Sequence, residues 1–363
     1  VTHGLLPEGI RDRLPPQAEA AAALTATLLG VVASHGYARV QPPLVEYEET
    51  LAGRLGPTTR RRDLMRFVDP VTQRTLAVRS DITGQVGRIA ATRLAHVARP
   101  LRLSYAGPVL RVKGSQLTPE REMLQAGAEL IGSDSVAAAS EILGVAIEAL
   151  TAVGVTGLSV DLTLPDIVET LASHMLTRER IEALQALLDM KDAGGMATAG
   201  FADWLPLTAA TGPVETALPQ LRAFDHAGLL ASRIDGIAQV AAALPGVRLT
   251  LDPAERHGFE YQSWIGFSIF ADGVRGELGR GGSYRVLHDN DDEAAVGISL
   301  YLDGLVDAGL GQAERRSVWL PRGTAPEVGQ RLRAQGWTTV AALDDGGPEG
   351  CTHRWNGVEA TPL

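Results

Sequence analysis

RLSYAGPVLRVKGSQLTPEREMLQAGAELIG, residues 102–132, decides how the rest of the chain is read. It divides into two extended runs around an irregular loop. The first, Leu101–Val112, carries Arg111 near its end; the second, Glu122–Ile131, carries Gln125 and Glu129. Alternate side chains of a strand share a face, so Met123, Gln125, Gly127 and Glu129 point the same way. An amide, a glycine and a carboxylate make a poor core surface. They suit either the solvated face of an edge hairpin or the floor of a polar pocket with Arg111 at its mouth.

Composition bounds the alternatives. A chain of 363 residues suits one large domain with a smaller unit, or two domains. Hydrophobic content of 45% supports a packed core, and 21% charged residues argue against global disorder. The net charge of −10 offers no electrostatic footprint for nucleic acid, so none is expected as a partner. Cys351 is the single cysteine, which excludes an intramolecular disulfide and a cysteine-cluster metal site. Neither a metal nor another cofactor is expected. No charged-then-apolar leader opens the chain, and the uncharged run over residues 20–36 is short for a membrane span. The expectation is a cytoplasmic protein.

Outward from the opening stretch, Leu14-Pro15-Pro16 starts a helical pattern that runs through Ser34 and stops at Gly36. Tyr37–Val40 reads as a strand leading into Pro42-Pro43. Leu64–Asp69 and Arg74–Arg79 read as a hairpin. A helix follows from Asp81 to Leu94, with Asp81 suited to cap it. Beyond Gly132 come a helix over Ser133–Val153 and a strand over Leu158–Leu164. The Leu/Ala-rich segment from about 165 to 245 reads as a helical insertion. Strands resume at Val247–Leu251, Phe259–Phe270 and Gly276–Gly279. Gly281-Gly282-Ser283-Tyr284 reads as a turn, or as backbone that lets a ligand approach. Ala294–Leu300 is the last core strand, with a helix through Ala308. The tail offers a strand (Ser317–Leu320), a helix (Ala325–Gln335) and a strand (Thr338–Ala342). The organisation expected is an α+β core over 1–312 and a short α/β C-terminal extension over 313–363.

The run GPVLR, a loop and QAGAELIG resembles the motif-2 hairpin of class II aminoacyl-tRNA synthetases, and of the histidyl-tRNA synthetase group in particular. GYARVQPPLVEYEETL, residues 36–51, resembles motif 1, which forms the dimer interface in that family. The resemblance spans Leu5 to Leu305 and implies an antiparallel sheet flanked by helices. It also implies a histidine site. Arg79-Ser80-Asp81-Ile82-Thr83 stands where the synthetase has Arg-Pro-Glu-Gly-Thr, which grips the α-ammonium of histidine. Asp81 then takes the carboxylate position and Thr83 the threonine position. With Gln125, the carboxylates Asp81 and Glu129 would hold the α-ammonium and the imidazole N–H. Arg111 would meet the ligand carboxylate, and Tyr261 and Tyr284 would wall the pocket.

The same resemblance marks where synthetase chemistry fails. Adenylate formation spreads negative charge over the α-phosphate and the attacked carboxylate, and losing one fixed cation costs ~10²–10³ in rate. Of three arginines used by the family, Arg111 remains. The second opens an Arg-Gly-Leu-Asp-Tyr-Tyr signature matched here by residues 257–262, so His257 replaces it. Its neighbour Arg256 would face the other side of a strand. The third lies in Gly-Leu-Glu-Arg-Leu, matched by Tyr301-Leu302-Asp303-Gly304-Leu305, so Gly304 replaces it. Only 58 residues follow Leu305, against about a hundred for an anticodon-binding domain. With the phrases RSDITGQV (79–86) and GWTTVAAL (336–343), the chain looks like the regulatory-subunit family of ATP phosphoribosyltransferase, a synthetase paralogue in histidine biosynthesis.

That family implies a non-catalytic subunit, without catalytic residues of its own. It is needed for activity of a short-form catalytic subunit that joins ATP to phosphoribosyl pyrophosphate, and for feedback inhibition by L-histidine. It also implies a hetero-octamer with that subunit and a homodimer through the motif-1 region. The alternatives are an active histidyl-tRNA synthetase and a catalytically silent tRNA-binding paralogue, whose helical insertion would touch the acceptor arm.

Overall fold

The computed structural model describes residues 4–52, 64–114, 119–256, 262–287, 292–313, 315–344, 347 and 350–363. Two compact units divide the chain, the first ending at Gly311 and the second starting at Gln312.

The first unit opens with α1 (Gln17–Ser34) and β1 (Ala38–Arg39). Next come β2 (Val45–Tyr47), α2 (Glu48–Ala52), β3 (Met65–Val68) and β4 (Thr75–Val78), the strands forming a small antiparallel sheet in the order β2-β4-β3. α3 (Thr83–Thr92) leads to the hairpin of β5 (Leu101–Leu110) and β6 (Glu122–Ile131), then α4 (Val136–Ala152) and β7 (Leu158–Thr163). A mostly helical stretch carries α5 (Ile167–Ala172), α6 (Arg178–Asp189), α7 (Ala193–Thr198), α8 (Leu205–Ala209), the two-residue β8 (Gly212–Pro213), α9 (Val214–Phe224) and α10 (Ala231–Ala242). The unit closes with β9 (Arg248–Asp252), β10 (Gln262–Ala271), β11 (Gly279–Val286), β12 (Glu293–Tyr301) and α11 (Asp303–Asp307).

Nine strands form one sheet in the order β1-β5-β6-β12-β11-β10-β7-β9-β8. Its centre, from β5 to β7, is antiparallel throughout; β1 joins β5, and β9 joins β7, in parallel. This is the α+β sheet flanked by helices that the hairpin pattern and the class II resemblance imply.

Strand parity sorts the sheet into two faces. Ala126, Ala128 and Leu130 of β6 and Val296, Ile298 and Leu300 of β12 point into the main core with α1 and α4. Fully burying each such Leu, Ile or Val contributes about 1.5–3 kcal/mol. On the opposite face Met123 and Ile131 of β6 pack with Leu103, Tyr105, Val86 and Ala90. α3 therefore covers one end of that face, and the polar residues between stay grouped.

Local signals set the helix ends. The Ser135 hydroxyl accepts the Ala138 N–H (3.3 Å) and caps α4. Gly36, at φ +84°, stops α1 while its N–H is donated to the Ala33 carbonyl (2.9 Å). α1 is long and apolar enough by composition to cross a membrane. Its Ala20, Ala21, Leu24 and Leu28 are nonetheless 0–4% exposed in the core, so it is a packed core helix.

Two expectations need correction. Gly281-Gly282-Ser283-Tyr284 is not a turn: it lies inside β11, paired residue by residue with β12. A Cβ on Gly281 would meet the Phe267 ring at 2.6 Å, so crowding between strands explains that glycine. α3 starts at Thr83 and Asp81 is not its N-cap; the Asp81 carboxylate instead accepts the Thr83 N–H in the turn before it (2.7 Å).

The second unit holds β13 (Ser317–Leu320), α12 (Pro326–Ala334), β14 (Thr338–Ala341), β15 (His353–Trp355) and β16 (Ala360–Pro362). The sheet order is β14-β13-β15-β16, with β13 parallel to both neighbours. Val318, Leu320, Leu332 and Trp355 form its small core. β15 and β16 escaped the sequence reading.

Candidate functional site

A pocket of about 310 Å³ lies on the polar face of the large sheet, lined by Asp81, Thr83, Glu129, Arg280, Tyr284 and Ser299 together with Gly281, Gly282, Gly297 and Ile298.

Glu129 and Gln125 are both 0% exposed. Glu129 Oε1 accepts the Tyr105 hydroxyl (3.0 Å) and Oε2 accepts the Tyr284 hydroxyl (2.7 Å). Gln125 Nε2 donates to Asp81 Oδ2 (2.7 Å) and to Ser299 Oγ (2.7 Å), while its Oε1 accepts the Ile82 N–H (3.0 Å). Ser299 and Tyr105 hydroxyls meet at 3.0 Å, and Thr83 Oγ1 lies 3.1 Å from Tyr105 Oη. One hydrogen-bonded chain thus joins the two carboxylates, running Asp81–Gln125–Ser299–Tyr105–Glu129.

Burial dominates the electrostatics. It pushes the Glu129 carboxyl up to about 8; the two phenol hydrogen bonds pull the other way, and the Asp81 charge adds to the rise. The Tyr105 phenol is raised by the same burial and by the charges of Glu129 and Asp81. Near neutral pH this burial favours Glu129 as a carboxylic acid.

The loop carrying Asp81 is fixed from behind by Arg79. Its guanidinium, 5% exposed, donates to the carbonyls of Pro108 (2.8 Å) and Pro42 (3.1 Å). Gln85 donates to the Pro43 carbonyl (2.8 Å) and to Glu46 (2.9 Å), tying the same proline segment to α3.

The structure brings together Asp81, Thr83, Gln125, Glu129 and Tyr284. Arg111 stands apart from the pocket lining, its guanidinium 5.7 Å from the centre of the Tyr301 ring. The cation among the described lining residues is Arg280, whose Nε donates to both carboxylate oxygens of Glu277 (2.8 Å each). Tyr261 and His257 lie outside the described residues. Gly304 sits in α11; a Cβ there would lie 3.5 Å from Val274 and from the Arg275 carbonyl. Its neighbour Asp303 accepts the Leu124 N–H (2.7 Å) and pairs with Arg13 (2.5 Å), so motif 3 is held to motif 2 by a carboxylate. Arg256 is paired with Asp189 of α6.

Sequence reasoning missed Tyr105, Ser299, Gly297, Arg79 and Arg280. Pairing β6 with its neighbours finds the first three: Tyr105 opposes Gly127, Ser299 opposes Gly127 from the other side, and Gly297 opposes Glu129.

A family model described as histidyl-tRNA synthetase matches residues 9–305. The ATP phosphoribosyltransferase regulatory subunit of Paramagnetospirillum magneticum is 44% identical over 96% of this chain and 95% of its own length. That of Rhodospirillum centenum is 44% identical over 97% and 95%. Among solved structures, an ATP phosphoribosyltransferase regulatory subunit/histidyl-tRNA synthetase from Bacillus halodurans superposes with TM-score 0.82 at 22% identity, covering 96% of this chain and 95% of that one. The histidyl-tRNA synthetase of a Nostoc species superposes with TM-score 0.77 at 17% identity, covering 95% and 87%. The two structures establish the fold, and the near full-length identity establishes the branch. The chain belongs to the histidyl-tRNA synthetase-like family and, within it, to the regulatory subunits of ATP phosphoribosyltransferase.

Proposed function

We propose that this chain is the non-catalytic partner of a short-form ATP phosphoribosyltransferase catalytic subunit. In this reading it is required for phosphoribosyl transfer from phosphoribosyl pyrophosphate to ATP, a glycosyltransferase reaction. It also renders the complex sensitive to L-histidine in cytoplasmic histidine biosynthesis. The observation that carries the reading is an asymmetry. Two carboxylates, Asp81 and Glu129, line one pocket, and the buried Gln125 amide donates to Asp81, whereas the motif-3 arginine position is Gly304.

The chemistry supports each part. Asp81 suits the α-ammonium and Glu129 the imidazole of histidine, with Tyr284 as a wall. With Gly304 and His257 in place of two arginines, phosphate charge at the old ATP site goes unclamped, which opposes adenylation. Residues 165–245 hold ten acidic and five basic side chains, a poor match for a tRNA acceptor arm. The α1–β1 region is the proposed homodimer contact, and a hetero-octamer with the catalytic subunit the proposed assembly.

The test mixes the purified chain with the cognate catalytic subunit. Expected results are a new, larger species on size exclusion, higher phosphoribosyltransferase turnover and inhibition by histidine. A profile equal to the sum of the two components, with no gain in turnover, overturns the reading. Histidine-dependent pyrophosphate exchange by the chain alone would return it to the synthetases.

A further inference from the structure

Glu129 is an acid with unusual company. Around it stand Tyr105 from β5, Tyr284 from β11, Thr83 and Asp81 at the start of α3, and Gly297 and Ser299 from β12. Among the described residues no lysine or arginine pairs with it, and the nearby Arg280 is turned onto Glu277. Two carboxyl groups share the pocket, and the Asp81 charge adds to the burial that raises the Glu129 carboxyl. Each carboxyl oxygen accepts a phenol hydroxyl, Oε1 that of Tyr105 (3.0 Å) and Oε2 that of Tyr284 (2.7 Å), so position decides which oxygen exchanges a proton with a ligand. Oε2 is the oxygen that lies over Gly297, facing the pocket.

We propose that this pocket selects its ligand by basicity, Glu129 handing its proton to a basic ring nitrogen so that the ligand is held by two cationic nitrogens between Asp81 and Glu129. The inference rests on reading the pocket as a histidine site and names how that site recognises the ring. The step balances by itself: the O–H bond at Oε2 breaks, an N–H bond forms on the imidazole, and the phenol hydroxyls of Tyr105 and Tyr284 remain donated to the carboxylate left behind. No other reactant is needed.

Magnitudes decide whether the transfer occurs. The buried carboxyl at about 8 outcompetes a free imidazole at about 6.5 by roughly thirtyfold. An opposite charge within ~4–6 Å shifts such equilibria by about 1–3 pH units, ten- to a thousandfold. Seating the α-ammonium on Asp81 also removes the repulsion that helped keep Glu129 protonated. Together these reverse the preference, and the bound pair is carboxylate and imidazolium. A ring of the same shape but feeble basicity gains none of this.

The test uses ring-¹⁵N-labelled histidine on the full chain at pH 7.5, where the free ring is mostly neutral. The expected spectrum of the bound ligand shows both ring nitrogens protonated. β-(1,2,4-Triazolyl)alanine, nearly isosteric and far less basic, should bind at least ~tenfold more weakly by calorimetry. Glu129→Gln, which keeps one phenol as donor to its amide oxygen and turns the other to accept from its NH2, should bind histidine with a neutral ring and narrow the gap between the two ligands. A neutral tautomer on the wild-type chain, or equal affinity for the triazole, overturns this inference and leaves the histidine reading standing. Absence of any histidine binding overturns both.

Discussion

Gly297 and Glu129 face each other across β12 and β6, and a Cβ on Gly297 would fall inside van der Waals contact of Glu129 Oε2. The space above that glycine is what leaves Glu129 Oε2 room at the pocket lining. Gly297→Ala should therefore push Glu129 off its two phenol partners. Overpacking of this kind costs about 1–3 kcal/mol. Calorimetric unfolding should show a lower Tm, and histidine titration should show lost binding. A variant that retains wild-type affinity would mean that the Glu129 oxygen does not set the pocket.

The large features were legible because they repeat. Period-2 alternation located β6 at its true ends, Glu122–Ile131, and placed Gln125 and Glu129 on one face. The site's remainder depends on pairing between distant segments. Tyr105 and Ser299 meet at 3.0 Å although 194 residues separate them, and neither strand's own pattern encodes that contact. Glycine pairs were ambiguous for a physical reason. Gly281-Gly282 offers the same freedom whether it serves a turn or a crowded strand, and the Gly297 carbonyl and Phe267 ring against Gly281 decide. In the second unit, β15 and β16 are three residues each, too short for an alternation to register.

Gln125→Leu should destabilise the chain more than its conservative volume suggests. The amide satisfies the Ile82 N–H, Asp81 Oδ2 and Ser299 Oγ. Leaving a buried donor or acceptor without a partner costs about 1–3 kcal/mol per group. Chemical denaturation should show a midpoint shift of that order, with an unchanged m-value. A neutral result would mean that the pocket relaxes without the amide.

The raised Glu129 carboxyl predicts a pH dependence of stability. Its folded value is about 8 against 4.5 unperturbed, so between these limits the folded state binds one more proton than the unfolded state. Stability from this group is complete below about 4.5, falls as pH rises and is lost above about 8. The slope is up to about −1.4 kcal/mol per pH unit. Between pH 5.5 and 7.5 the ligand-free wild type should lose more stability than Glu129→Gln. Parallel Tm profiles for the two proteins would show that Glu129 does not carry this proton.

Asp81→Ala should raise the histidine concentration needed for half-inhibition of the mixed complex. Asp81 is held in place on both oxygens, by the Thr83 N–H and by Gln125, each at 2.7 Å. A carboxylate so fixed is set for an ammonium. Breaking a fully buried charge pair costs ~3–5 kcal/mol; Asp81 is only partly buried, so the expected loss is that of one hydrogen bond to a charged group, about 1.5–3 kcal/mol. That corresponds to roughly ten- to a hundredfold in affinity. Inhibition requires that histidine bind the two activity states unequally, so the weakened contact should appear equally in the binding isotherm and in the inhibition curve. Size exclusion of the variant with the catalytic subunit separates this effect from a failure to assemble. An assembled variant complex with unaltered half-inhibition would place the effector at another site and leave the Asp81–Glu129 pocket without a regulatory role.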